Sequence, residues 1–594
     1  MGYYRLRPSA IYDSLTTNIP HILMNFTDFL FPASTPLYPP AATVLTYLES
    51  YTDHFDLRPH IHFNTSVISA EYTLNEVLPS GKKVYAWNVS TQFVNSEQQI
   101  NRFDFDWLLV CNGHFSVPRY PSIPGLSTWV ASGKVSHSVT YHNPSLLPLP
   151  SSATKVLVIG GGPSGQDIVA DLLSSPLIDH VIHSTSSPPT IADINPRLSN
   201  RPRLSQFFTD SSTVQFCDSS IESSISHCIL ATGFKSSFPF LSNYLRNSIP
   251  PPIPPLPDTL YNTSYGVFPL SRYLFPFSGN AHKPNIAFLG LSKSAAPLPL
   301  TQIQARAALT LFETLDQDPE NQKIDWTQES LDILTRYEKL KLKVLQTTSG
   351  NLNSQDDDDD DEIPSETPLS LEEKIAKKWY QFEEKMEQFE YRNSLVEFVN
   401  QLSSTPVSSE SSSASSSSPS PSSTSLMSSR TPFNLDPNPN STTNLIEKSV
   451  PPSSSNTTIS NTISRFICKK WEGHIYTHKD ILRRTWQALE RSGEAKEWVR
   501  GVGESEDPEK EWVELMERVI KRGFEMESGK WKWSSGFLIF GIDYRSIPVW
   551  LVVVGTENVL PATNDSHLSY PLSILLRTSL HLHTRIVQIN VSGR

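Results

Sequence analysis

Apolar residues in this chain fall into two patterns. Short continuous runs bounded by Gly, Pro or Asn occur at Val156 to Ile159, Trp107 to Cys111, Cys228 to Phe234 and Asn285 to Gly290. Each has the length of a strand and is too short for a helix, so each predicts a buried strand. Helical spacing occurs at Thr43 to Tyr51, where Val44, Leu45, Tyr47 and Leu48 share a face, at Gln166 to Leu173 and at Gln302 to Leu311. Across 371–402, Ile375, Trp379, Phe382, Met386 and Phe389 are spaced 4, 3, 4 and 3, which predicts one amphipathic helix. Helical spacing returns from Phe466 to Gly523, through Ile481, Leu482, Trp486, Leu489, Trp498, Trp512, Leu515 and Val519. Strands alternating with helices predict an α/β fold.

Polar stretches divide this pattern. Residues 1–150 mix short strands and helices, 151–235 hold a glycine turn, and 236–347 return to apolar segments. An acidic stretch follows (348–370), then the helix at 371–402, a Ser/Pro-rich insertion (403–465), the helical part 466–523 and a patternless end (524–594). The insertion and the acidic run predict disordered, solvated segments. They also explain a hydrophobic content of only 38% in a chain of 594 residues, long enough for two to four domains. No solenoid-type repeat is present.

Net charge is −12, of which Asp356 to Asp361 and Glu362 carry −7, so no basic surface suggests nucleic acid. The four cysteines (Cys111, Cys217, Cys228, Cys468) form no C-x-x-C, which argues against a zinc site, a dithiol centre or a disulfide scaffold. The first residues lack an apolar signal core, and Ile547 to Val554 is too short to span a bilayer. A soluble, cytoplasmic protein is the expectation.

Candidate chemistry centres on Lys155-Val-Leu-Val-Ile-Gly-Gly-Gly-Pro-Ser-Gly165. Gly160, Gly162 and Gly165 form G-x-G-x-x-G between a predicted strand and a predicted helix, the context in which the motif binds a dinucleotide. Gly160 permits the tight turn, Gly162 admits a pyrophosphate to the backbone, and Gly165 lets strand and helix pack closely. Ser164 and the following N–H groups then face the phosphates at the helix N-terminus. Asp167, in the first turn, complements the helix dipole. A glycine-rich turn that binds nothing is the plainer alternative.

Several segments, in order, resemble the flavin-containing monooxygenases of the fungal or yeast-like type. They are Asp13-Ser-Leu-Thr-Thr-Asn18-Ile-Pro with Met24-Asn-Phe-Thr-Asp28-Phe, Thr35-Pro-Leu-Tyr-Pro-Pro, Val44-Leu-Thr-Tyr-Leu-Glu-Ser-Tyr, Asn112-Gly-His-Phe-Ser-Val-Pro, Ser132-Gly133-Lys-Val-Ser-His137-Ser-Val-Thr-Tyr141, and Ala231-Thr-Gly-Phe234 with Phe238-Pro-Phe-Leu. The resemblance covers roughly 8–315 and resumes at 371–402 and 466–523. It departs at Ala131, where the family's identifying motif has Phe, while Tyr141 favours this family over Baeyer–Villiger enzymes. It also departs at the start. The family has a first glycine fingerprint for FAD, and here Met1 falls just before the asparagine segment. The expectation is an N-terminally truncated FAD part, explained by a lost first exon.

The resemblance implies two Rossmann-like domains, an NADP domain (151–235) inserted in an FAD domain (1–150 and 236–347), and a helical C-terminal part. It implies FAD and NADPH as cofactors, a small-molecule substrate and O₂, and oxygenation of a soft sulfur or nitrogen nucleophile through a flavin hydroperoxide. An N-hydroxylating or Baeyer–Villiger relative, or a non-catalytic NADP-binding remnant, remains open. No metal is implied.

Asn18 is the implied active-site amide; on its residues alone it equally shapes a turn before Pro20. Ser184 and Thr185 could bond the coenzyme ribose, and Arg197, Arg201 or Arg203 could reach a 2′-phosphate. Gly113, Thr232 and Gly233 are implied cofactor-binding residues where the chain crosses between domains, with the two glycines also readable as hinges. His137 either orients that junction or packs. Gln302, with Gln304 and Arg306, resembles the family's helix near the flavin, and is also readable as structural.

Overall fold

The glycine turn lies in a computed structural model that describes residues 10–79, 81, 83–94, 100–150, 154–186, 195–209, 211–276, 285–317, 324–349, 369–404 and 463–528. The acidic run, nearly all of the Ser/Pro-rich insertion and residues 529–594 lie outside the described residues. In chain order, an irregular segment leads into helix α1 (Ala41–His54). Strands β1 (Thr65–Val77), β2 (Lys83–Phe93) and β3 (Ile100–Phe105) form an antiparallel meander, followed by β4 (Leu108–Val110). Next come β5 (Val135–His137), β6 (Lys155–Ile159), α2 (Pro163–Ser174), β7 (His180–Ser184), β8 (Leu198–Arg201) and β9 (His227–Leu230). After β10 (Ile286–Phe288) the chain turns helical, with α3 (Pro297–Gln317) and α4 (Trp326–Ser349). Helices α5 (Leu371–Lys378), α6 (Glu387–Ser403), α7 (Lys470–Thr477), α8 (Lys479–Ser492) and α9 (Pro508–Glu527) complete it.

Five strands form a parallel sheet in the order β5-β9-β6-β7-β8. Successive side chains of a strand point to opposite faces. Leu157 and Ile159 of β6 therefore pack with Trp129, Phe207 and Phe216 on one face. Val156 and Val158 pack on the other with Ile168 and Leu172 of α2. Burial on both faces is why β6 reads as an unbroken apolar run rather than an alternation. Strand β5 belongs to this sheet although it precedes residue 151, so the expected start of the inserted domain moves toward the N-terminus. The run Cys228 to Phe234 yields a strand only to Leu230, because the chain turns at Gly233, whose φ is +75°.

Strand β4 pairs in parallel with β10, 175 residues or more away in sequence, and the entire five-stranded unit lies between them in the chain. Where the chain leaves and returns, Val117–Pro118 pairs antiparallel with Phe234–Lys235. This is the expected α/β architecture, one dinucleotide-type domain inserted in another, with a helical C-terminal part. Helix α3 starts earlier than its periodicity suggested, because Pro297 and Pro299 sit in the first turn, where a missing N–H costs nothing. Its Ile303, Ala305, Ala307, Ala308 and Leu311 are fully buried.

The single helix expected over 371–402 is two helices, α5 and α6, separated by a break. The spacing is helical, but tertiary partners capture the middle. The Tyr380 hydroxyl donates to the Val267 carbonyl. The Trp379 ring packs edge-on against Phe268 at 4.8 Å. Arg336 donates to the carbonyls of Trp379 (3.0 Å) and Gln381 (3.2 Å), which a continuous helix would keep for itself.

Helices α7 to α9 do not form a separate core. Ile475, Leu482, Trp486, Trp512, Leu515 and Val519 pack with Ile19, Phe31, Leu37 and Tyr47 from the N-terminal segment. Among the described residues no helix is long and apolar enough to cross a membrane.

Candidate dinucleotide and active site

Strand β6 delivers the chain into the glycine turn, and α2 carries it away. Gly160 has φ +123°, and a Cβ there would lie 2.3 Å from the Ala231 carbonyl oxygen. A Cβ on Gly165 would lie 2.1 Å from the Gly160 carbonyl oxygen. Both approaches are closed to any side chain, as a tight turn beneath a closely packed helix requires. Gly162 is the N-cap of α2 in extended conformation, with no side-chain cap, and Pro163 follows. The next N–H groups, beginning at Ser164, end a helix whose dipole favours an anion. The turn is fixed from behind: Gly160 N–H donates to Ser184 O (3.0 Å), and His183 Nε2 lies 2.9 Å from Gly160 O.

The two hydroxyls beyond β7 differ. Ser184 is 2% exposed and donates to Pro202 O at 2.9 Å, so its hydroxyl ties the sheet to the next turn. Thr185 Oγ1 is buried and has no hydrogen-bond partner among the described residues. The guanidinium groups of Arg197 and Arg201 are occupied. Arg197 donates to the carbonyls of Leu173 (3.0 Å), Ser175 (2.7 Å) and Ile178, binding up the C-terminus of α2. Arg201 pairs with Glu222 at 2.6 Å, and Lys155 lies 3.2 Å from the same carboxylate. The Arg203 carbonyl accepts from Cys217 N–H at 2.8 Å.

At the crossing, Gly113 and Gly233 take positive φ of 68° and 75°. The Thr232 hydroxyl donates to Arg119 O (2.6 Å), and Arg119 N–H donates to Gly233 O (3.0 Å). Thr232 is thus a stitch between the two linkers. His137 is 1% exposed; its Nδ1 accepts from Val139 N–H at 3.1 Å, and its ring lies 5.3 Å from Phe234. Burial lowers its pKa to about 4, so it packs as a neutral ring at the junction.

Asn18 is half-buried on the N-terminal segment. Its neighbour is anchored: Thr17 N–H donates to Pro39 O (2.9 Å), its hydroxyl donates to Ile19 O (2.9 Å), and Arg483 of α8 donates to its carbonyl. Gln302 is tied to the same region. Its Oε1 accepts from Thr27 N–H (2.9 Å) and Thr27 Oγ1 (3.0 Å), and its Nε2 donates to Asp28 Oδ1 (2.8 Å). Gln302 therefore docks α3 onto the segment after Asn18, and Gln304 docks α3 to Gly290 N–H and Tyr391.

Sequence reasoning passed over His114 and Ser292. Both follow the carboxyl ends of the parallel pair β4 and β10, where ligands of open α/β sheets bind. His114 Nε2 and Ser292 Oγ are buried and have no hydrogen-bond partner among the described residues. Burial, with the Lys293 charge nearby, lowers the His114 pKa to about 3. Only the burial pattern could have singled them out, because each stands in an ordinary loop sequence.

Residues 7–195 match the family described as flavin-binding monooxygenase-like. The match covers about a third of the chain. Flavin-containing monooxygenase FMO GS-OX-like 2 of Arabidopsis thaliana is 31% identical over 50% of this chain and 59% of its own length. Thiol-specific monooxygenase of Saccharomyces cerevisiae is 26% identical over 51% of this chain and 65% of its own length. The chain thus spans about six-tenths of the length of these curated relatives. Among solved structures, S-allyl-L-cysteine S-oxygenase of Allium sativum superposes with a TM-score of 0.47 at 21% identity, covering 66% of this chain and 75% of that one.

The matched family is described as flavin-binding. The residues of the glycine turn would accommodate a dinucleotide: two glycines where no Cβ has room, an uncapped helix N-terminus and the orphaned Thr185 hydroxyl. For the flavin, the orphaned His114 and Ser292 offer polar partners at the sheet's carboxyl edge. No second glycine-rich strand–turn–helix lies among the described residues.

Proposed function

We propose that this flavin-binding monooxygenase-like chain is an NADPH- and FAD-dependent oxygenase of a soft sulfur or nitrogen nucleophile. The observation that carries the reading is the β6–α2 turn, where Gly160 and Gly165 stand against backbone with no room for a side chain. The thiol-specific yeast relative supports sulfur as the acceptor atom.

The geometry supports the following roles. Backbone N–H groups at the start of α2 hold the coenzyme pyrophosphate, and Thr185 bonds its ribose end. The Asn18 amide, both donor and acceptor, positions the oxygen-bearing group without taking its proton. Helices α7 to α9 pack over the Asn18 segment and keep water from its inner side. Bound flavin supplies the activation of O₂.

The test is turnover of the purified chain with FAD and NADPH against a thiol, an amine and a ketone, in wild type and Asn18→Ala. Wild type is expected to oxygenate the thiol or amine. The variant is expected to keep oxidising NADPH while product per NADPH falls by on the order of tenfold or more and hydrogen peroxide rises. Full coupling in the variant removes Asn18 from the mechanism. Product from the ketone alone replaces the reading with a Baeyer–Villiger type.

A further inference from the structure

Asp167 lies two residues beyond Gly165, at the fifth position of α2 and so just past the first turn where the sequence placed it. Its carboxylate accepts from the Tyr12 hydroxyl. One turn further, Asp171 accepts from the Tyr141 hydroxyl at 2.6 Å, and the Tyr12 and Tyr141 rings lie 6.3 Å apart. The N-terminal segment is therefore bolted to the helix that begins at the glycine turn.

Arg483 reaches the same place from the other side. Its guanidinium donates to Thr17 O, lies 5.4 Å from the Tyr38 ring centroid, and acts through space on both Tyr12 and Asp167. Thr17 immediately precedes Asn18. Arg483 thus bonds the Asn18 segment to α8, across 466 residues in sequence, and acts electrostatically on the helix that begins at the glycine turn.

The charges make this junction responsive. Asp167 is a half-buried carboxylate, and its burial raises its pKa while Tyr12 and Arg483 lower it. An anionic pyrophosphate at the start of α2 brings a second negative charge to the same helix end. Among the described residues, the charge of opposite sign acting on Asp167 is that of Arg483, with Asp171 acting against it. Coenzyme arrival therefore increases the electrostatic demand on Arg483, whose bond to the Thr17 carbonyl holds the residue before Asn18.

We propose that Arg483 is a positioning residue that couples coenzyme occupancy at α2 to the placement of Asn18, through Tyr12 and Asp167. The inference rests on the reading of the glycine turn and Asn18 given above. A cation, a phenol and a carboxylate could also simply hold the fold. A structural tie, however, would protect the Asn18 segment equally with and without coenzyme, whereas a coupling makes that protection depend on it.

The experiment is hydrogen exchange of the peptide spanning Thr17 and Asn18 in the full chain, with and without NADP⁺, beside calorimetric NADP⁺ affinity. In wild type, NADP⁺ is expected to slow exchange there by on the order of fivefold. Arg483→Gln and Tyr12→Phe are expected to bind NADP⁺ yet lose that slowing, and Arg483→Lys to restore part of it. Tyr12→Phe keeps the ring and its packing, so it reports even if the arginine variant unfolds. Exchange indifferent to NADP⁺ in wild type, or undiminished protection in Tyr12→Phe and Arg483→Gln, overturns this inference alone. Failure of wild type to bind NADP⁺ overturns it together with the glycine-turn reading.

Discussion

Gly165 stands so close to Gly160 that a Cβ on it would lie 2.1 Å from the Gly160 carbonyl oxygen. That oxygen is backbone, held in a turn whose N–H is bonded to Ser184, so it cannot swing aside. Gly165→Ala is expected to destabilise the chain by about 3 kcal/mol and to weaken NADP⁺ binding at least roughly tenfold, because α2 must move off β6. Thermal unfolding and calorimetry check both effects. Unaltered affinity would separate the turn from coenzyme binding.

Ser184 and Thr185 should behave in opposite ways despite being neighbours. Ser184→Ala removes the bond to Pro202 and is expected to cost about 1 kcal/mol of stability with little change in affinity. Thr185→Val removes an orphaned buried hydroxyl, so stability should hold or rise. NADP⁺ binding should weaken by roughly five- to tenfold, as expected for one lost hydrogen bond. Equal effects on stability from the two variants would contradict the division of roles.

Acid should unfold this chain through its histidines. Burial lowers the pKa of His21, His137 and His227 to about 4, and that of His114 to about 3, from an ordinary 6.5. The folded state therefore refuses protons that the unfolded chain accepts. This contribution is complete above 6.5 and is lost as pH falls from about 6.5 toward about 4, by up to about 1.4 kcal/mol per pH unit for each histidine. Urea midpoints measured from about pH 7.5 down to about pH 5 should decline, and less steeply in a His137→Gln, His227→Gln chain.

The buried pair of Arg392 and Glu472 brackets the Ser/Pro-rich insertion. The two meet at 2.6 Å, with side chains 3% and 11% exposed. Glu472→Gln strands the guanidinium inside the core and is expected to cost about 3–5 kcal/mol. Replacing both with apolar residues of similar size should cost less than either single change. A double replacement as damaging as the single one would show that the pair carries its own net stabilisation.

The strand, turn and helix at 155–174 were legible because their signal is local: an apolar run, three glycines and a helical period within about twenty residues. The break between α5 and α6 was not legible, because it is made by Val267, Phe268 and Arg336, which are distant in sequence. At the site, the glycines could be read, since only backbone geometry demands them. Which of Ser184 and Thr185 remains open depends on where Pro202 lies, which no pattern encodes. Arg197 illustrates the same limit. Its charge suggested a phosphate, but its position beneath α2 gives it to three carbonyls.

The inserted unit begins and ends within one hydrogen bond of itself, Arg119 N–H to Gly233 O. A module whose two ends are adjacent can be spliced into a host chain without stretching it, since the host strands on either side need not part. The β4–β10 pair shows this directly, remaining in register across the whole intervening unit. The five-stranded unit is therefore an excursion that opens and closes at one point, so the host fold sees it as a single attachment rather than two.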